Sequence, residues 1–164
     1  MKLDKALVPL DGSRLAEAAI PMAVDLLKDH PTATLVLVRA AEASRLPGVD
    51  PTKEQIRVVR EAETYLASVA AGLVGSGVKN VRTSVWYGPA APAIVEAAQF
   101  GGVDLIVMST HGRTGIGRLI LGSVAESVLR STRTPILLVR NDGAPLAMLS
   151  GETPAWSMKE TAHV

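Results

Sequence analysis

Residues 104–140 read D-L-I-V-M-S-T-H-G-R-T-G-I-G-R-L-I-L-G-S-V-A-E-S-V-L-R-S-T-R-T-P-I-L-L-V-R, and this stretch decides the fold. Residues 104–108 are a short apolar run of the kind that a strand buried on both faces requires. Residues 109–121 have the Gly and Arg content of a loop, residues 123–131 have helical spacing, and residues 135–139 are a second apolar run. Strand, loop, helix and strand in that order make a βαβ unit, whose crossover leaves its two strands parallel.

The same alternation runs upstream. Residues 5–10 predict a strand that ends at the turn signal Asp11-Gly12. A helix follows, N-capped by Ser13, with Leu15, Ala18, Ala19 and Met22 at helical spacing until His30-Pro31; Pro21 inside it predicts a kink, at up to about 3 kcal/mol if uncompensated. Residues 34–38 form a second strand and residues 40–51 a long loop. Ile56, Val59, Ala62, Leu66, Val69 and Leu73 then mark a long amphipathic helix over residues 52–74, stopped by Gly75-Ser76-Gly77. Residues 81–86 alternate as a third strand, Gly88-Pro89 turns the chain, and residues 90–100 form a short helix closed by Gly101-Gly102. The order βαβαβαβαβ predicts an α/β fold, a five-stranded parallel sheet with helices on both faces. Ligands of such sheets lie at the carboxyl ends of the strands near the topological switch point, which directs attention to the first and fourth strands.

At 164 residues the chain is sized for one domain, expected over residues 1–140. Residues 141–164 lose periodicity and gain Gly, Pro, Ser and Thr, and read as a tail or loose arm with Trp156 as a docking point. With only 3% aromatic residues the core must be aliphatic, and single-strand nucleic-acid binding by stacking is disfavoured. A net charge of +1 removes any global attraction to nucleic acid or anionic membrane. The absence of Cys excludes disulfides, thiolate metal sites and cysteine nucleophiles. Neither a signal sequence nor a membrane span is legible, so a cytoplasmic protein is expected.

Three features converge after the fourth strand. Ser123-Val124-Ala125-Glu126 has the spacing of a capping box, which fixes a helix N-terminus. Gly112, Gly115, Gly117 and Gly122 allow close approach of backbone to a ligand. Over residues 109–140, Arg113, Arg118, Arg130, Arg133 and Arg140 face a single acid, Glu126. Together these suit an anion, above all a phosphate, although each alone has an ordinary structural explanation. Competing motifs fail on spacing. Arg118 and Leu119 stand where a P-loop needs Lys and Ser or Thr, and Ile120 stands where a dinucleotide fingerprint needs its third glycine. A triad of Asp11, His111 and Ser123 lacks a nucleophile elbow, and His30, His111 and His163 are too scattered in sequence for a metal cluster.

The openings A-L-V-P-L-D-G-S and W-Y-G-P-A-A-P-A-I-V-E-A-A, and above all M-S-T-H-G-R-T-G-I-G-R-L-I-L-G-S-V-A-E-S-V-L-R followed by T-P-I-L-L-V-R, resemble the universal stress protein family over about residues 1–140. The resemblance implies a Rossmann-like sheet of the adenine nucleotide alpha hydrolase type, in the order 3-2-1-4-5, and a homodimer through the fifth strand. The nucleotide-binding branch has a Gly, two residues, a second Gly, nine residues, then Gly and Ser or Thr. Here Gly112, the nine residues that follow, and Gly122-Ser123 match, while Ser109 occupies the first glycine position. The resemblance implies that Pro9 and Asp11 flank adenine, that Ala40 stands beside it, and that Met108 and Ser109 lie near the ribose. Gly112, Gly122, Ser123 and Val124 would hold the phosphates of ATP or AMP, with Mg2+ or Mn2+ accompanying a triphosphate. If the Ser109 position needs a left-handed backbone, a side chain there costs about 1–2 kcal/mol. The function so implied is a nucleotide-dependent regulatory dimer in the stress response. A slow ATPase and a dimeric interaction module without nucleotide are the alternatives. The dimer also has a reason in the residues, because an apolar last strand over residues 135–139 invites pairing with another chain.

Overall fold

A computed structural model describes residues 3–43, 47–48, 50–110 and 122–140. In chain order the elements are β1 (Lys5–Pro9), α1 (Arg14–Glu17), α2 (Ile20–Leu27), β2 (Thr34–Ala41), α3 (Pro51–Gly75), β3 (Val81–Tyr87), α4 (Ala90–Gly101), β4 (Leu105–Thr110), α5 (Ser123–Ser131) and β5 (Ile136–Arg140). Every strand pairing is parallel and the sheet runs β3-β2-β1-β4-β5, the doubly wound order expected.

The central strand shows why its sequence is continuously apolar. β1 is flanked by β2 and β4 and covered on both faces, so Ala6, Leu7 and Val8 are all fully buried. Alternation divides the side chains between two cores. Ala6, Val8, Leu35, Leu37 and Val107 meet Ile20 and Ala23 of α2 and Leu66 and Leu73 of α3. Leu7, Val38, Ile106 and Met108 meet Ala91, Ile94 and Ala98 of α4 and Ala125 and Val128 of α5. Both faces carry helices, and the small alanines of α4 let it lie close to the sheet.

Some expectations need correction. The first helix does not run through Pro21 with a kink. It ends after one turn and restarts at Ile20, which places Pro21 in the first turn of α2, where a missing N–H leaves no bond unmade. β2 continues through Arg39, Ala40 and Ala41, paired with Val85, Trp86 and Tyr87, so the expected loop starts later than Ala40. Pro51 is the first residue of α3; Asp50 Oδ1 caps it by accepting the Thr52 and Lys53 amides at 2.9 and 3.3 Å. β4 likewise continues through Ser109 and Thr110, which pair with Val139 and Arg140. Ser109 therefore has extended backbone, and the argument from left-handed strain lapses at this position.

Candidate functional site

The chain leaves β1 towards β2 by way of α1 and α2, whereas it leaves β4, on the other side of β1, towards β5 by way of α5 on the opposite face. These departures in opposite directions open a crevice at the carboxyl ends of β1 and β4. Pro9 is the last residue of β1, Ala40 lies near the end of β2 and Met108 near the end of β4. Strand alternation puts all three on the face that carries α4 and α5, in line with Leu7, Val38 and Ile106. Met108 is buried and Pro9 and Ala40 are partly so. Ser109 follows Met108 but alternation turns it to the opposite face.

Gly122, Ser123 and Val124 open α5. A crossover helix that follows β4 starts at the carboxyl end of the sheet, so its free amides and positive dipole end belong to the crevice side. The capping box does not form. Gly122 is the N-cap, no side chain among the described residues caps the first turn, and the Glu126 carboxylate instead accepts from Arg130 Nη2 at 2.6 Å. Ser123 is thus the first helical residue. Among the described residues no side chain accepts from the first-turn amides of α5, and Ser123 and Val124 are exposed. Gly112, His111, Gly115, Gly117, Arg113 and Arg118 lie outside the described residues, as does the segment 141–164 with Trp156.

Asp11 stands in the turn after β1, where its Oδ1 accepts the Ser13 amide at 2.8 Å; Ser13 Oγ in turn caps α1 through the Ala16 amide at 3.1 Å. Asp11 is thereby a turn-forming residue, in keeping with the turn signal Asp11-Gly12. Gly12 needs its identity because its φ is +91°, and Arg39 Nη1 lies beside it, 3.6 Å from where a Cβ would stand. The Arg39 guanidinium lies 4.9 Å from the centroid of the Tyr65 ring, and the Tyr65 hydroxyl donates to Glu17 Oε1 at 2.7 Å. Burial, reinforced by the neighbouring Glu17 carboxylate, pushes the Tyr65 phenol up from its ordinary value, with Arg39 opposing. This clamp ties the Asp11 turn to α1, β2 and α3, and the sequence reading missed it.

It also missed Thr110. This residue is 1% exposed and its hydroxyl has no hydrogen-bond partner. Counting by twos from Met108 along β4 would have found it. On the same face, Trp86 of β3 pairs in register with Ala40, stacks on Phe100 with ring centroids 6.0 Å apart, and donates its indole N–H to Ser84 Oγ at 3.0 Å. Among the described residues, shallow grooves run along α3, past Ile56, Arg60 and Tyr65, away from the crevice.

The model of the Universal stress protein family matches residues 2–140. A universal stress protein of Methanocaldococcus jannaschii is 32% identical over 141 residues, covering 83% of this chain and 81% of the relative. A solved universal stress protein family structure from Burkholderia pseudomallei has 31% identity and a TM-score of 0.63, covering 83% of this chain and 95% of that one. Two more distant solved members share the fold. One, described in complex with cAMP, has 24% identity and a TM-score of 0.53, covering 84% of this chain and 97% of its own. The other, from Arabidopsis thaliana with AMP bound, has 13% identity and a TM-score of 0.61, covering 87% of this chain and 95% of its own. With strand order, sequence blocks and family model in agreement over residues 2–140, this chain belongs to the universal stress protein family.

Proposed function

We propose that the protein binds an adenine nucleotide, ATP or AMP, at the carboxyl ends of β1 and β4, and acts in the cytoplasm as a nucleotide-dependent regulatory homodimer of the stress response. The observation that carries this reading is the start of α5, where a glycine N-cap leaves the first-turn amides open towards the switch-point crevice. Pro9, Ala40 and Met108 supply the apolar wall that an adenosine needs, with Asp11 in the turn beside them. Gly112, Gly122, Ser123 and Val124 would receive the phosphates. The cAMP and AMP described in the two relatives support the ligand class. Among the described residues no group of three His, Asp or Glu side chains could hold a metal ion, so no step is assigned to Mg2+ or Mn2+.

A second reading, the dimeric interaction module without nucleotide, is favoured by Ser109 and by β5. Ser109 departs from the expected glycine, and β5 ends the sheet with Ile136, Leu137, Leu138 and Val139 only half-buried. A slow ATPase remains a variant of the first reading, told apart by release of phosphate over hours. The deciding experiment is to denature the purified protein, identify any nucleotide released, and titrate the emptied protein with AMP and ATP. Recovered ATP or AMP, or saturable binding below millimolar, is expected. No release and no binding at millimolar nucleotide would leave the interaction module.

A further inference from the structure

Resting on the nucleotide reading, we propose that Arg39 is a positioning residue for the nucleoside half of the ligand. Held over the Tyr65 ring, its guanidinium braces the Asp11-Gly12 turn from the face of the sheet opposite Ala40 and Met108, and so sets affinity without touching the ligand. Strand alternation gives the placement. Ala40 shares a face with Val38, whereas Arg39 shares a face with Leu35 and Leu37, on the side where α2 and α3 pack.

The turn has need of a brace. The Leu10 amide donates to the Val38 carbonyl at 2.7 Å, and among the described residues this is the last hydrogen bond from the β1 end to β2. Beyond it, Asp11 Oδ1 and Ser13 Oγ accept the Ser13 and Ala16 amides, bonds that shape the turn without tying it to β2. The tie is Arg39, whose Nη1, Nη2 and Cζ lie 3.6, 3.7 and 3.8 Å from where a Gly12 Cβ would stand. Among the described residues the guanidinium has no ion-pair or hydrogen-bond partner. It is held by the Tyr65 ring, 4.9 Å from the centroid, and the ring is fixed in turn by its hydroxyl's bond to Glu17 Oε1 at 2.7 Å. Gly12 has the freest backbone of any residue type, so a brace at this point removes conformations in which Asp11 leaves its place beside Pro9. Affinity falls in proportion to the fraction of free protein in which the turn is in place.

The brace acts on the nucleoside, so both adenosine and AMP must report it. Arg39→Met, which keeps an unbranched stem and removes the guanidinium, should weaken adenosine and AMP alike by about five- to tenfold, with their ratio within about twofold of the parent. Exchange of the Ser13 amide should quicken by about the same factor. Tyr65→Leu should give the same loss, and the double variant should bind within about twofold of either single one, because ring and guanidinium act as a unit. Arg39→Lys, which restores a cation over the ring, should recover affinity to within about threefold of the parent. Tyr65→Phe loses the bond to Glu17 and some stability but keeps the ring, and should bind within about twofold of the parent. Isothermal titrations with adenosine and with AMP, and amide exchange by NMR, all well below the melting temperatures, read these effects. Undiminished binding by Arg39→Met would overturn the proposal, as would a loss confined to AMP, which would put the guanidinium on the phosphate. A loss in Tyr65→Phe as large as in Tyr65→Leu would mean that affinity follows stability, and would overturn it too. Should Arg39→Met not fold, the contrast between Tyr65→Phe and Tyr65→Leu decides, its presence supporting the brace and its absence overturning it. If the parent binds neither ligand, the nucleotide reading fails and takes this proposal with it, a result seen before any variant is made.

Discussion

The two ends of the sheet are built on opposite principles. At the amino end Asp104 and Lys5 are spent on structure. Asp104 Oδ2 accepts the Asp4 and Lys5 amides, each at 2.8 Å, and Lys5 Nζ donates to the Gly101 carbonyl at 2.7 Å, closing the C-terminus of α4. At the carboxyl end the Thr110 hydroxyl and the start of α5 are left open. Of these, the Thr110 hydroxyl is buried, whereas Ser123 and Val124 are exposed and water can serve their amides. The comparison teaches that the polar groups at the amino end hold the fold together, and it supports placing the proposed nucleotide site at the other end.

The sharpest way to break the contrast is at the amino end. Asp104→Ala strands two amides and should cost about 2–3 kcal/mol in urea unfolding, while AMP affinity stays within about twofold. A variant that unfolds normally but loses nucleotide would show that the two ends are not separable. At the carboxyl end, Gly122→Asp should do the reverse. The residue has φ −63° and ψ 152°, backbone that any residue adopts, so an Asp there can cap α5 and stabilise it by about a few tenths of a kcal/mol. The same carboxylate would occupy the amides meant for phosphate and repel it, and AMP affinity should fall at least about tenfold. Stabilisation without loss of binding would remove the start of α5 from the site.

Smaller effects lie between the two ends. Tyr65, whose phenol is held neutral by burial and by its bond to Glu17, ionises later in the folded chain than in the unfolded one. Above about pH 10 the unfolded state therefore binds fewer protons, and stability, unaffected below that pH, should fall as pH rises. Tyr65→Phe should cost about 1 kcal/mol at neutral pH and flatten the alkaline decline, as measured by denaturant midpoints between pH 8 and 11. The smallest effect is expected at Ser109. Its extended pairing with Val139 means that Ser109→Gly relieves no backbone strain, so any change in AMP affinity should come from the space a Cβ occupies and stay within about threefold. A gain much larger than that would restore the glycine of the family motif to a decisive role.

How much of this could be read in advance follows from the same physics. β1 and β4 announce themselves because strands covered on both faces must be continuously apolar, and α3 because its buried face recurs through Ala62, Leu66 and Leu73. Strand ends were less legible. Arg39 and Thr110 are polar, yet they extend β2 and β4 because the sheet supplies backbone partners whatever the side chain. The capping box was legible as a pattern and absent as a structure, since Glu126 pairs one turn onwards with Arg130. Pro9, Ala40 and Met108 fall on one face of the sheet at its carboxyl end, a placement that strand alternation makes legible, whereas the Arg39–Tyr65–Glu17 clamp depends on contacts 26 and 48 residues apart that no local spacing encodes.

Trp86 gives the molecule an optical reporter. Its indole sits one strand from Ala40, on the same face of the sheet, and its ring plane is already fixed by Phe100, at 18° between planes. A purine arriving beside Ala40 would come within the range over which indole emission senses its surroundings. The sequence has only two tryptophans, so replacing Trp156 alone would leave a single fluorophore to watch ligand come and go in real time, without any label attached.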